Sequence, residues 1–174
     1  MARYRDIPQL TKSAPYVVDT LWAYLERQLE HYGEKGTLDL DPPFQRAHVW
    51  DEVKQRRYVE YVLRGGKSSR DIYFNQSDWM RGFSEPMYLV DGKQRLEAVR
   101  KYLRGDLAIF DGLYVTDFED SIPYEATFKF HVNDLPTYAA VLQWYLDLNE
   151  GGVAHTQDEL EKVRALLRQE TING

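Results

Sequence analysis

The segment Tyr88-Leu-Val-Asp91-Gly92-Lys93-Gln94-Arg95-Leu96 brings together most of what phosphate chemistry needs. An apolar run ends in an acid, a glycine turns the chain, and a helix-forming stretch follows with two cations in its first turn. A helix N-terminus presents unpaired N–H groups and a partial positive charge, which suits phosphate. Gly92 lets the backbone come close to a ligand. Lys93 and Arg95 can add charge-assisted bonds to phosphoryl oxygens. Asp91 could hold a metal or a ribose hydroxyl, or orient a water. The same residues also read as a plain strand–glycine–helix turn with surface charges, because a short glycine turn is a weak signal.

Two further segments could contribute. Phe44-Gln45-Arg46-Ala-His48-Val-Trp50 follows two prolines and precedes a helix, so Gln45 and Arg46 sit in a loop well placed to touch a ligand. Arg46 reads equally as one half of a structural salt bridge, and Trp50 as a core anchor. Leu148-Asn149-Glu150-Gly151-Gly152 ends a helix, and Asn149 can adopt the left-handed conformation. Locally it is a turn between two helices. Gly66-Lys67-Ser68 resembles the end of a phosphate-binding P-loop, but Tyr61 stands where that pattern needs glycine and a helix precedes it. The histidines His31, His48, His131 and His155 lack metal-ligand spacing, so no metal site is expected from them.

The elements that must position these residues follow from periodicity. Val18, Leu21, Trp22, Leu25 and Leu29 predict a helix over 16–32, stopped at Gly33. Residues 37–40 read as a short strand, and Asp51 caps a helix over 52–64 whose apolar face is Val59, Val62 and Leu63. Strands are expected at 71–75, 87–90 and 126–132, with a short strand pair near 107–116. Helices are expected from the Asp91–Arg95 turn to Gly105, over 136–148, and after a capping box formed by Thr156 and Glu159. Helices and short strands mix without a regular βαβ repeat. The expected class is α+β, a small mixed sheet with packed helices, in one domain covering 1–174.

Composition narrows the function classes. The 174 residues contain no cysteine, which excludes disulfides, thiolate nucleophiles, Cys-ligated zinc and iron–sulfur clusters. The net charge is −6, a poor balance for non-specific DNA binding. Residues 41–110 nonetheless carry 13 basic against 10 acidic side chains, whereas 111–174 carry 4 against 12. The positive middle could handle a small anion or one stretch of backbone. No signal peptide and no run of ~18 apolar residues is present, so the chain is expected to be cytoplasmic with no membrane partner.

In order, Phe44-Gln45-Arg46-x-x-Val49-Trp50, Val90-Asp-Gly-Lys-Gln-Arg-Leu96 and Leu148-Asn-Glu-Gly-Gly152 with Glu159-Leu160 form a specific set. It resembles the N-terminal domain of GmrSD-type modification-dependent restriction enzymes, of the ParB/sulfiredoxin-like superfamily. The resemblance spans about residues 15–165. It implies a ParB/sulfiredoxin-like fold in a bacterial or phage-infected cell, and a domain that binds and hydrolyses a nucleoside triphosphate, with Mg²⁺ as a companion ion. It places Asp91, Gln94 and Arg95 in catalysis, with Asp91 or Gln94 orienting the attacking water. Gln45, Arg46, Gly92, Lys93 and Asn149 would bind the nucleotide. Sulfiredoxin chemistry is excluded, because it needs a cysteine that this chain lacks.

The sequence departs from the family pattern at two positions. Lys93 stands where the family has a first Gln, and Asp147 stands where it commonly has Arg. The family's restriction enzymes also carry an HNH-type nuclease domain, and no such domain is expected within these 174 residues. Cutting in a restriction or defence system would then fall to a nuclease partner protein. Two alternatives stay open. One is a non-catalytic, DNA-associated regulator or decoy of a restriction system. The other is a ParB-like nuclease, for which two-metal cleavage would need clustered carboxylates.

Overall fold

Strand alternation in Met87-Tyr-Leu-Val sorts the core into two layers. Met87 and Leu89 join a cluster with Ile72, Phe74, Phe128 and Phe130, while Val90 joins a second cluster with Leu142, Trp144 and Tyr145. Successive side chains of a strand point to opposite faces, so an unbroken apolar run marks a strand covered on both sides. The computed structural model describes residues 3, 7, 10–12, 14–35, 37–47, 49–79, 86–149 and 157–173.

Among these, five strands form one sheet: β1 (Tyr16–Leu21), β2 (Leu38–Asp39), β3 (Asp71–Asn75), β4 (Met87–Asp91) and β5 (Thr127–Asn133). Their order is β1-β5-β3-β4-β2. The β1/β5 and β3/β4 pairs are antiparallel, and the β5/β3 and β4/β2 pairs are parallel. Helices α1 (Leu25–Lys35), α2 (Glu52–Leu63) and α3 (Lys93–Leu103) supply the first cluster. Helices α4 (Tyr138–Asn149) and α5 (Gln157–Asn173) supply the second. The class is mixed α and β, as the sequence predicts. No helix among the described residues is long and apolar enough to cross a membrane.

The helix expected over 16–32 is a strand, then a 3₁₀ turn at Trp22–Tyr24, then α1. Tyr16 to Leu21 pair residue by residue with Val132 to Thr127 of β5, and this ladder overrides the helical spacing of Val18 and Leu21. Val18, 36% exposed, lies on the edge strand and outside the core, whereas Trp22, Leu25 and Leu29 are buried as expected. Gly33 does not stop the helix, which runs on to Lys35. The strand pair near 107–116 shrinks to a single bridge, Ile109 to Leu113, followed by a 3₁₀ turn at Val115–Asp117. Phe110, Asp111 and Gly112 all have positive φ in the turn that this bridge closes. Asp51 caps α2 by accepting from the Lys54 N–H at 2.7 Å. Thr156, His48, His155 and Glu150 to Gly152 lie outside the described residues.

Candidate functional site

β4 runs into α3 through a register shift that re-aims one side chain. Tyr73 sits opposite Asp91, but the next residue, Phe74, sits opposite Leu89, so β4 carries an extra residue. Simple alternation would put Asp91 on the same face as Leu89. The bulge instead turns it toward the α4 side, where it lines a cavity with Asn149. Gly92 then takes φ 102°, ψ 5° and acts as the N-cap of α3. A Cβ there would lie 2.5 Å from Ile72 Cδ1, so only glycine fits both the dihedral and the space. No side chain caps α3, which leaves its first-turn N–H groups to a ligand or water.

The 42–50 loop is held against this turn by side chains from both segments. Gln45 Nε2 donates to Leu89 O at 2.9 Å and to Val90 O at 2.7 Å, on β4 beyond the last β2 pairing at Tyr88. Gln94, 6% exposed, accepts at Oε1 from the Val49 N–H at 2.9 Å and the Trp50 N–H at 3.0 Å. Its Nε2 donates to Ala47 O at 3.3 Å. Lys93 Nζ donates to Arg46 O at 3.1 Å and pairs with the exposed Asp41 carboxylate. The loop is thereby built into the site.

Arg95 Nη2 donates to Asp91 Oδ2 at 2.6 Å, one helical turn away, while Arg95 Nε is buried without a hydrogen-bond partner. A buried donor without an acceptor costs about 1–3 kcal/mol. Asn149 closes the cavity from the end of α4, where its Nδ2 donates to Tyr145 O at 2.6 Å. Burial pushes the Tyr145 phenol up to about 12, and the Arg46 guanidinium partly offsets this.

All eight residues singled out in the sequence, Gln45, Arg46, Asp91, Gly92, Lys93, Gln94, Arg95 and Asn149, line one cavity of about 250 Å³. Trp50 completes it, and also packs edge-on against Tyr58 with ring centroids 5.5 Å apart. The sequence reading of Trp50 as a core anchor therefore covered half of its environment. Its place in the Phe-Gln-Arg-x-x-Val-Trp segment was the signal for the other half. Gln94 Oε1 accepts two backbone N–H groups, so this side chain holds the 49–50 backbone against the turn. Asp147 is not part of the lining. Its Oδ2 accepts from the Thr11 N–H and its Oδ1 from Gln143 Nε2, both at 2.7 Å.

The lining holds three cations, Arg46, Lys93 and Arg95, and one carboxylate, Asp91. That balance, beside a helix N-terminus with no side-chain cap, favours a small, multiply charged anion. Among the described residues, no three His, Cys, Asp or Glu side chains converge as metal ligands would. No family model matches the chain, and no curated protein or solved structure matches it significantly.

Proposed function

We propose that this chain binds a nucleoside triphosphate at the Asp91–Arg95 turn and hydrolyses it, as a ParB/sulfiredoxin-like domain of the GmrSD N-terminal type linked to DNA restriction or defence. One observation carries the reading. Eight residues from three separated segments, named from the turn motif and from the family resemblance, line a single cation-rich cavity.

The α3 N-terminus would meet the phosphate chain, with Arg46, Lys93 and Arg95 neutralising it. Positioning and charge stabilisation are the main demands of phosphoryl transfer. Asp91 would orient the attacking water. Mg²⁺ is bound through one or two carboxylates plus phosphate oxygens, and Asp91 is the carboxylate that fits. At about 250 Å³ the cavity suits a phosphate chain, and the nucleoside would extend outside it.

Calorimetric titration with each of the four triphosphates and Mg²⁺, followed by a phosphate-release assay, tests the reading. Saturable binding with turnover that Asp91→Asn abolishes supports an enzyme. Saturable binding without turnover makes the domain a nucleotide sensor.

A second reading, a DNA-associated regulator or decoy of a restriction system, is favoured by the outer side of α2 and the turn after it. Lys54, Arg57, Arg64 and Lys67 are all exposed there. Loss of DNA affinity with added salt, reduced in Arg57→Ala, supports it. The nuclease reading gains no support from the side-chain clusters among the described residues.

A further inference from the structure

A second cavity, of about 700 Å³, lies at the C-terminal end of α3, the far end from Gly92. Trp22, Leu63, Tyr102, Phe110, Phe118 and Ile122 supply most of its apolar wall. Its volume falls within the ~300–1,000 Å³ range of ligand sites. The exposed aromatic residues Tyr24, Tyr114 and Tyr124 are sequence neighbours of the lining residues Ala23, Val115 and Pro123.

The segment that walls the cavity has a charge of one sign. Residues 105–128 contain six acidic side chains, Asp106, Asp111, Asp117, Glu119, Asp120 and Glu125, and no Lys or Arg. Asp120 lines the cavity itself. Of the other charged lining residues, Glu26 is held by Arg100 at 2.7 Å, and Arg27 lies on the α1 side. The segment is anchored rather than loose. Leu107 and Ile109 are buried, the Phe110 N–H donates to Glu60 Oε1 at 2.8 Å, and Arg64 stacks on the Phe110 ring at 5.0 Å. A preformed wall lowers the ordering cost of binding.

We propose that this cavity docks a partner protein through an apolar side chain flanked by Lys or Arg. The apolar anchor fills the cavity, and its basic neighbours face the 105–128 segment. Opposite charge sets partner choice and association rate, while the buried anchor supplies most of the affinity.

The test is selection of a random peptide phage library on the immobilised full chain. Enriched peptides should carry Lys or Arg around a Leu, Phe or Trp. Their affinity should fall roughly tenfold in Ala23→Trp, which fills the mouth from an exposed lining position, and should weaken with salt. Circular dichroism verifies that the variant folds, and Ser121→Trp serves in its place if it does not. The absence of enrichment, enrichment of acidic or uncharged peptides, or equal binding to the filled variant would overturn the proposal. A concentration-dependent dimer in sedimentation that Ala23→Trp dissolves would also overturn it, by assigning the cavity to a second copy.

Discussion

The Arg95 guanidinium reaches back one helical turn to the Asp91 carboxylate, Nη2 to Oδ2 at 2.6 Å, while its Nε stays buried and unpaired. The pair joins the end of β4 to the start of α3 across Gly92. Arg95 also lines the cavity, so its guanidinium is a cation that an anion bound there would meet. The same pair holds Asp91 in the position to which the β4 bulge turns it.

Gly92→Ala is expected to destabilise the fold by at least ~2 kcal/mol, since φ 102° disfavours alanine and its Cβ would strike Ile72. Urea unfolding measures the loss. Nucleotide affinity should fall with it, because φ 102° at this position strains any other residue and the N-terminus of α3 starts from it.

Gln94→Ala removes the acceptor of two backbone N–H groups without changing the charge of the cavity. A loss of ~2 kcal/mol in stability is expected. Hydrogen exchange should accelerate at the Val49 and Trp50 amides, which lose their Gln94 partner. If Gln94 also oriented the attacking water, phosphate release would fall by more than nucleotide affinity does.

Asp147→Arg puts the residue common in the GmrSD-type domains this sequence resembles at a position outside the cavity lining. Nucleotide affinity measured by calorimetry should change by no more than about twofold. Stability should drop modestly, because the Thr11 and Gln143 hydrogen bonds are lost.

The buried tyrosines set the alkaline limit of the fold. Burial raises Tyr138 and Tyr145 to about 12 and also raises Tyr58, against an ordinary value of 10.0. Above pH 10 the unfolded chain therefore loses phenolic protons that the native protein keeps, so stability falls with rising pH. Below pH 10 this contribution is fully present. Urea unfolding from pH 8 to about 11.5 should show the decline beginning near 10, with a shallower slope in Tyr145→Phe.

How much of this was legible depended on how local the signal was. The β4–α3 turn could be read because Met87 to Val90 is an uninterrupted apolar run that meets Gly92, and both features are local. β1 could not, because Val18, Leu21, Trp22, Leu25 and Leu29 fit a helical stripe. The partner strand that overrides this spacing begins at Thr127. The cavity members were visible as residue types, but their division of labour was not. Gln45 and Gln94 act on backbone groups 44 and 45 positions away, and no side-chain pattern marks backbone acceptors. The bulge that turns Asp91 is a property of pairing with β3 and leaves no trace in the β4 sequence.

The most direct measurement is calorimetric titration of the four nucleoside triphosphates with Mg²⁺ into the full chain, wild type beside Arg95→Ala. The account predicts saturable binding of at least one triphosphate by the wild type. It predicts a loss of ~10-fold or more in the variant, the scale of a charge-assisted hydrogen bond. Absence of binding by all four, or equal affinity in a folded Arg95→Ala, would contradict it.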